Sequence, residues 1–437
     1  MKKWILILLA APSLLWAQTT NGLSLAQVRE QVLAGNPSVQ ESLERIVAAE
    51  ATLRQAHSAY LPTISLNANY GHLDASMHPD AYPNMRVSDS FMQASSGIEA
   101  NWLLFDGFAR EARTLSAKLA VEHSRELADE TRRLLILSCT VSYRQAQLAR
   151  QSIEIAQQDL SFNQKLEADA QKRYAVGDIP EADVHNFSIR ALQAENAMLQ
   201  AQLEYSAACT VLAELMALPE RKLADELELI EISLDGEAVV PELAEALQYA
   251  LQHRPDYLAL DSGMRILEQQ VRAAKGDFAP RVSLVGDVGY TDRGDGFANV
   301  GQHGNYNSFV GVAVSWDVFS GGRKSAALKL SRAEMFALEQ KQEALQLSIR
   351  SALSRRIDEA ETARKIVGRQ EQIRALSVKV RDSVEKSYRA GAEPITRLNE
   401  AQTNLVRAEG AYASAVIAYR LTLNQIEIET GRVLNDL

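Results

Sequence analysis

Leu61-Pro62-Thr63-Ile64-Ser65-Leu66 returns 218 residues later as Ala279-Pro280-Arg281-Val282-Ser283-Leu284. In both copies a proline closes a helix-like stretch, because the residue before proline is pushed toward extended backbone. Strict alternation follows. Ile64, Leu66, Ala68 and Tyr70 share one face, and Thr63, Ser65, Asn67 and Asn69 share the other. The second copy sets Val282, Leu284, Val288 and Tyr290 against Arg281, Ser283 and Asp287. These are strand signatures with one apolar and one polar side.

Working outward, the chain proves to be written twice. The offset of 218 also relates Asn36-Pro37 to Arg254-Pro255. Beyond the strands it becomes 214, relating Trp102-Leu103-Leu104-Phe105-Asp106-Gly107 to Trp316-Asp317-Val318-Phe319-Ser320-Gly321. The same 214 relates Tyr174-Ala175-Val176-Gly177 and Pro180 to Tyr388-Arg389-Ala390-Gly391 and Pro394, and Glu195 and Tyr205 to Glu409 and Tyr419. One offset held over so many landmarks marks an internal repeat. The change of offset falls between the paired strands, where loops absorb length.

Each repeat predicts a strand pair: about 63–71 with 92–105, and 281–290 with 308–318. In the second strand Met92, Ala94, Ile98, Ala100 and Trp102 oppose Gln93, Ser95, Glu99 and Asn101. In the fourth, Val310, Val312, Val314, Trp316 and Val318 oppose Gly311, Ala313, Ser315 and Asp317. Membrane strands need ~9–11 residues, apolar toward lipid and polar toward a lumen. Tyr70, Trp102, Tyr290 and Trp316, on the apolar faces near the strand ends, are the expected membrane girdle. A soluble antiparallel sheet with one wet face shows the same alternation.

Long helices flank the strands. Residues 109–176 hold neither Pro nor Gly and are rich in helix formers. At 1.5 Å per residue they predict a rod of about 100 Å. Residues 323–390 mirror them, with Gly368 the one weak point. The apolar run Leu134-Leu135-Ile136-Leu137 and the polar run 122–133 mark an amphipathic rod suited to coiled-coil packing, or to an ordinary helical bundle. Gly177 and Gly391 can take the left-handed conformation that ends a helix. Pro180 and Pro394 then open returning helices over 181–218 and 395–431. The sharp ends of these hairpins, 175–180 and 389–394, carry Gly177-Asp178-Ile179-Pro180 and Gly391-Ala392-Glu393-Pro394.

The N-terminus adds a location. Lys2 and Lys3, an apolar stretch over 4–15 and Ala17 predict a secretory signal peptide over 1–17; the stretch is short for a retained anchor helix. No cysteine follows the apolar stretch, which argues against a lipid anchor. The repeats then divide the rest into 18–235 and 236–437. Cys139 and Cys209 both sit in helical sequence and read as free, packed thiols. Loss of Lys2 and Lys3 takes the formal charge from −10 to about −12. Such an acidic exported chain suits a wet duct that tolerates cations and is a poor nucleic-acid binder.

Four strands leave two open edges. In lipid each unsatisfied backbone group costs several kcal/mol, so copies of the chain must complete the barrel. This makes the expected fold mainly α with a membrane β-barrel contribution, built from two repeats of a strand pair and a long helical hairpin.

The double repeat, the Leu-Pro and Ala-Pro strand entries, the Trp-x-x-Phe-x-Gly exits and the Tyr-x-x-Gly tips together resemble the TolC family of outer-membrane efflux proteins. The resemblance covers residues 24–431. It implies a homotrimer, a trimeric α/β-barrel channel with twelve strands and a helical tunnel across the periplasm of a Gram-negative bacterium. It implies a passive exit duct of a tripartite efflux or type I secretion system, closed at the periplasmic tip and opened when inner helices shift outward. An inner-membrane transporter and a periplasmic adaptor would dock at the tip, on Gly177, Asp178, Pro180, Gly391, Glu393 and Pro394. Relatives ring the constriction with acidic residues. Here that stretch reads Arg397-Leu398-Asn399-Glu400, with Arg397 where some relatives have Asp, and Asp183 is its counterpart in the first repeat. A mixed pore constriction of Asp183, Arg397 and Glu400 follows, in which paired Asp and Arg would hold the tip shut. Unpaired, these are solvated helix charges worth under ~1 kcal/mol.

Other signals carry less. His72, Asp74, Met77, His78 and Asp80 could hold a metal, with His303 in the matching loop, but such sets are more often polar surface loops and no metal is expected. No phosphate loop, zinc-protease helix or nucleophile elbow occurs, so neither enzymatic activity nor a cofactor is expected. The alternative class is a secreted helical structural protein or adhesin.

Overall fold

The computed structural model describes residues 23–77, 86–218, 240–293 and 305–435. The expected signal segment, the 235/236 boundary, His78, Asp80 and His303 lie outside the described residues. The elements run α1 (Leu25–Gly35), α2 (Pro37–Ser58), β1 (Thr63–Met77), β2 (Val87–Phe105), α3 (Ala109–Ala175), α4 (Glu181–Leu215), α5 (Leu243–His253), α6 (Pro255–Gly276), β3 (Arg281–Arg293), β4 (Asn305–Ser315), α7 (Arg323–Arg389) and α8 (Ile395–Thr430), closed by a 3-10 turn at Arg432–Leu434. This is one pattern written twice, down to a 67-residue helix in each copy.

The strands form one antiparallel sheet in the order β1-β2-β3-β4. Its register carries the two faces across all four strands. Ile64, Ala100, Gly286 and Val310 make one row, and Leu66, Ile98 and Val288 the next on that face. The other face holds Ser65, Glu99 and Asp287 with Phe309 as an apolar exception on β4, then Asn67, Gly97, Gly289 and Asn307. A one-residue slip would mix the faces. Among the described residues β1 pairs only with β2 and β4 only with β3, so both edges are open.

Three strands run longer than their alternation suggested. The β1–β2 ladder continues to Met77 opposite Val87, which leaves Tyr70 in mid-strand rather than at an end. β4 begins at Asn305, opposite Thr291, and stops at Ser315. Trp316 lies just past its end, where its indole N–H donates to the Phe278 carbonyl at 3.0 Å and draws the chain out of the ladder.

The chain divides into two compact units, each described by itself. The first comprises Met1–Asn36, Leu135–Val240 and Asp358–Gln425; the second comprises Pro37–Leu134, Pro241–Ile357 and Ile426–Leu437. α3, α7 and α8 contribute to both. In the first, Val28, Val32, Cys139, Tyr143 and Leu212 form a core, capped where the Tyr143 hydroxyl donates to the Leu23 carbonyl at 2.8 Å. Cys139 is free, and burial pushes its thiol up to about 12 despite nearby Arg29. The second unit holds the sheet and a core of Ala246, Ala250, Ile349 and Leu353.

The repeat survives at the level of single hydrogen bonds. Trp102 donates to the Tyr60 carbonyl at 2.9 Å, as Trp316 does to Phe278. Arg110 donates to the Leu103 carbonyl at 2.6 Å, and Lys324 to that of Asp317 at 2.9 Å. Asn36 caps the Leu215 carbonyl at 2.9 Å, and Arg254 the Glu429 carbonyl at 3.1 Å. At the exit of β2, Gly107 (φ +70°) lies against Gly276, and a Cβ on either would overlap the other's backbone.

Candidate functional site

The two hairpin ends are built alike. After α3, Gly177 (φ +77°) donates to the Tyr174 carbonyl at 2.8 Å and Asp178 to that of Arg173 at 2.9 Å. After α7, Gly391 (φ +76°) donates to Tyr388 at 3.0 Å and Ala392 to Ser387 at 2.9 Å. Each is a Schellman close, which satisfies the last helical carbonyls through a left-handed residue. Pro180 then sits extended at the cap of α4, and Asp183 donates its backbone N–H to the Pro180 carbonyl at 3.1 Å. Arg397 repeats this on Pro394, also at 3.1 Å. The tip residues expected from the sequence are therefore loop positions at two rigidly closed turns.

Beneath the turns lies a small core of Leu166, Ala170, Phe187 and Leu398, with Tyr388 packed against it. Phe187 meets Tyr388 edge-on, ring centroids 6.3 Å apart. The Arg173 guanidinium lies 5.8 Å from the Tyr388 ring, approaches its hydroxyl at 3.4 Å and pairs with Asp178 at 2.6 Å. Burial raises the Tyr388 hydroxyl pKa; Arg173 opposes this, and the charges of Asp183 and Asp178 add to it. Arg173 and Tyr388 thus form a strap between α3 and α7 that the sequence reading missed. Tyr388 was visible as a motif landmark, but nothing in the spacing pointed to Arg173, whose repeat-related position is Ser387.

The constriction residues are only partly brought together. Arg397 pairs with Glu400 at 2.8 Å, one turn along the same helix, and both are exposed. The expected Asp183–Arg397 pair is not made within one chain: i,i+3 spacing puts Glu400 within easier reach. A groove of about 610 Å³ between α4 and α8, lined by Asn186, Arg190, Glu400 and Arg407, opens beside this pair.

The residues expected as a girdle, Tyr70, Trp102 and Tyr290 on the sheet and Trp316 just past it, are all exposed, as are Ile64, Leu66, Val310, Val312 and Val314. The opposite face sets Glu99 directly across from Asp287, to which the Asn307 amide donates at 3.2 Å. Adjacent like charges on a strand pair are unfavourable unless water or counterions reach them. No helix among the described residues is long and apolar enough to cross a membrane. Nor does any group of three or more His, Cys, Asp or Glu gather there in position to hold a metal ion.

An open-edged, two-faced sheet joined to paired long helical hairpins defines a chain of the channel-forming class, with an apolar belt outside and a wet interior. The chain belongs to the outer membrane efflux protein family, whose model matches residues 28–218 and 246–431. Among relatives, it is 24% identical over 400 residues to the outer membrane efflux protein BepC of Brucella suis biovar 1 (strain 1330), covering 87% of this chain and 79% of that one. The fold is that of the outer-membrane channel OprN (TM-score 0.78, 21% identity, 93% and 89% of the two chains). It is also that of the outer membrane protein VceC of Vibrio cholerae (TM-score 0.76, 19% identity, 93% and 96%). The chain is accordingly a transport protein of the outer membrane.

Proposed function

We propose that three copies of this chain close a twelve-stranded barrel and form the passive exit duct of a tripartite efflux or type I secretion system. The observation that carries this is the four-stranded sheet with two open edges and one apolar face. Such a sheet is stable in lipid only when further copies satisfy its edges. Each chain supplies two repeats, 18–235 and 236–437, which share the indole hydrogen bonds of Trp102 to Tyr60 and of Trp316 to Phe278 at their corners. An inner-membrane transporter drives export, and a periplasmic adaptor docks on the Schellman turns at Gly177, Asp178, Pro180, Gly391, Glu393 and Pro394.

Asp183, Arg397 and Glu400 narrow the periplasmic end. Arg397 neutralises Glu400 within each chain, and Asp183 lies close enough to Tyr388 for its charge to act on that hydroxyl. Polar walls at Glu99 and Asp287 keep the barrel wet. The test is single-channel conductance in planar bilayers. Wild type gives small, cation-preferring steps, and replacing Asp183 and Arg397 together by Ser increases them. Unchanged conductance would remove these residues from the constriction, and no channel at all would remove the duct.

A further inference from the structure

We infer that the groove between α4 and α8 is a binding site for a small hydrophilic anion, held by Arg190 and Arg407. This rests on the reading of the chain as an exit duct and adds a class of solute that pauses beside the constriction. The groove has a volume of about 610 Å³, which suits a small organic molecule. The parts of α4 and α8 that line it belong to the first unit, and both helices run away from the hairpin ends. Charge is sorted along that direction. Glu400, about 8 Å from the start of α8, is the one carboxylate lining the groove, and Arg397 pairs with it at 2.8 Å. Arg190, about 14 Å along α4, and Arg407, about 18 Å along α8, lie farther from the tip.

Neither of these two guanidiniums meets a carboxylate. Arg407 donates to the neutral Asn404 side chain at 3.1 Å, and Arg190 has no hydrogen bond or ion pair among the described residues. One exposed arginine is an ordinary solvated helix charge. Two that enter one groove from different helices are a divided donor set, and guanidinium forks match the oxygens of carboxylate or phosphate.

The uncharged wall sets the rest of the ligand. Asn186 and Gln193 on α4 and Asn399 on α8 offer amides, whereas Ile189 and Ile395 are the only apolar side chains that line the groove. Such a wall solvates a polar body and leaves a long apolar tail uncovered. The sign of the site also runs against the chain as a whole. The formal charge is −10, and the polar face of the sheet carries Glu99 and Asp287. An anion therefore approaches against the general field, and its retention must come from the local arginines. With Glu400 neutralised by Arg397, the groove keeps a positive surplus from Arg190 and Arg407. The ligand class is thus a small carboxylate- or phosphate-bearing solute with a polar body.

The test is titration calorimetry on the intact purified protein at low salt, with citrate as the carboxylate probe and glucose 6-phosphate as the phosphate probe. Wild type should bind at least one of them, and the stronger binder identifies the headgroup. Arg190→Gln and Arg407→Gln should each weaken that binding about tenfold, and together about a hundredfold. Glu400→Gln, which removes the one carboxylate and releases Arg397, should tighten it. Lys341→Gln with Lys365→Gln removes the same charge away from the groove and should leave binding unchanged. In planar bilayers the bound probe should interrupt the wild-type current and not that of the double arginine variant. Folded protein that binds neither probe, or binds equally well without both arginines, would overturn the site. Conductance without binding loses the site and keeps the duct; arginine-dependent binding by a protein that forms no channel keeps the site and loses the duct.

Discussion

α4 and α8 descend from one repeated pattern, yet they meet different surroundings. On α4, Leu203 is 69% exposed; its repeat mate on α8, Ile417, is 5% exposed. The long helices differ in the same sense but with the repeats reversed. Val380 on α7 is 50% exposed, whereas its mate Leu166 on α3 is 4% exposed. The two copies have kept their corners and exchanged their outward faces. Leu203 and Val380 belong to exposed apolar seams, with Ile189, Leu192 and Leu199 on α4 and with Ile366, Ile373 and Leu376 on α7, whereas the matching lines on α8 and α3 include Thr403, Gly410, Ser152 and Asp159 and are only partly apolar. A chain with two identical hairpins would present the same face twice. A chain with one outward seam in each repeat presents two unlike faces, which is what a ring of identical subunits requires.

The largest effect should come where the repeats differ in charge at the same corner. Arg254 and Asn36 both hold a helix-end carbonyl, but buried Arg254 also pairs with Asp256 at 2.8 Å and with Glu429. Arg254→Ala removes the close cation from both carboxylates, leaving Glu429 the more distant Arg133 at 4.0 Å, and should cost about 3 kcal/mol. Asn36→Ala, which removes a neutral cap from the Leu215 carbonyl, should cost about 1–3 kcal/mol. Denaturant midpoints of the purified protein measure both, and equal costs would mean that the corners are equivalent after all.

A smaller but sharper contrast lies along the seams. Ile417→Ala empties a packed position and should cost about 2–5 kcal/mol in the fold of each chain. Leu203→Ala should leave the fold of the chain within ~0.5 kcal/mol, as surface changes do. Its effect should fall on the dissociation of the assembly instead. Circular dichroism follows the first quantity and heated gel migration the second. If Leu203→Ala unfolds the chain while Ile417→Ala does not, the assignment of inward and outward faces is reversed.

Much of this could be read before any coordinates. Prolines at 62 and 280, the period-two runs behind them and the glycines at 177 and 391 are local rules, so the strands, hairpins and turns were legible. What escaped depends on distant partners. Asn305, Tyr306 and Asn307 sit in loop-like sequence, but pairing with β3 makes them strand, because a ladder overrides propensity. Arg173 resembles any helix-end cation until Tyr388, more than two hundred residues away, is placed beside it. The constriction was legible in its residue types and not in its pairing. Arg397 could reach Glu400 or Asp183 by charge alone, and only helix geometry favours the first. The outward seams were hidden for the same reason, since an apolar heptad does not say whether its partner lies in its own chain.

Native mass spectrometry of the detergent-extracted protein tests the central claim most directly. The account predicts one dominant species at three times the mass of the single chain. A wild-type protein that flies as a monomer while remaining folded would contradict it, because a single four-stranded sheet cannot close a barrel.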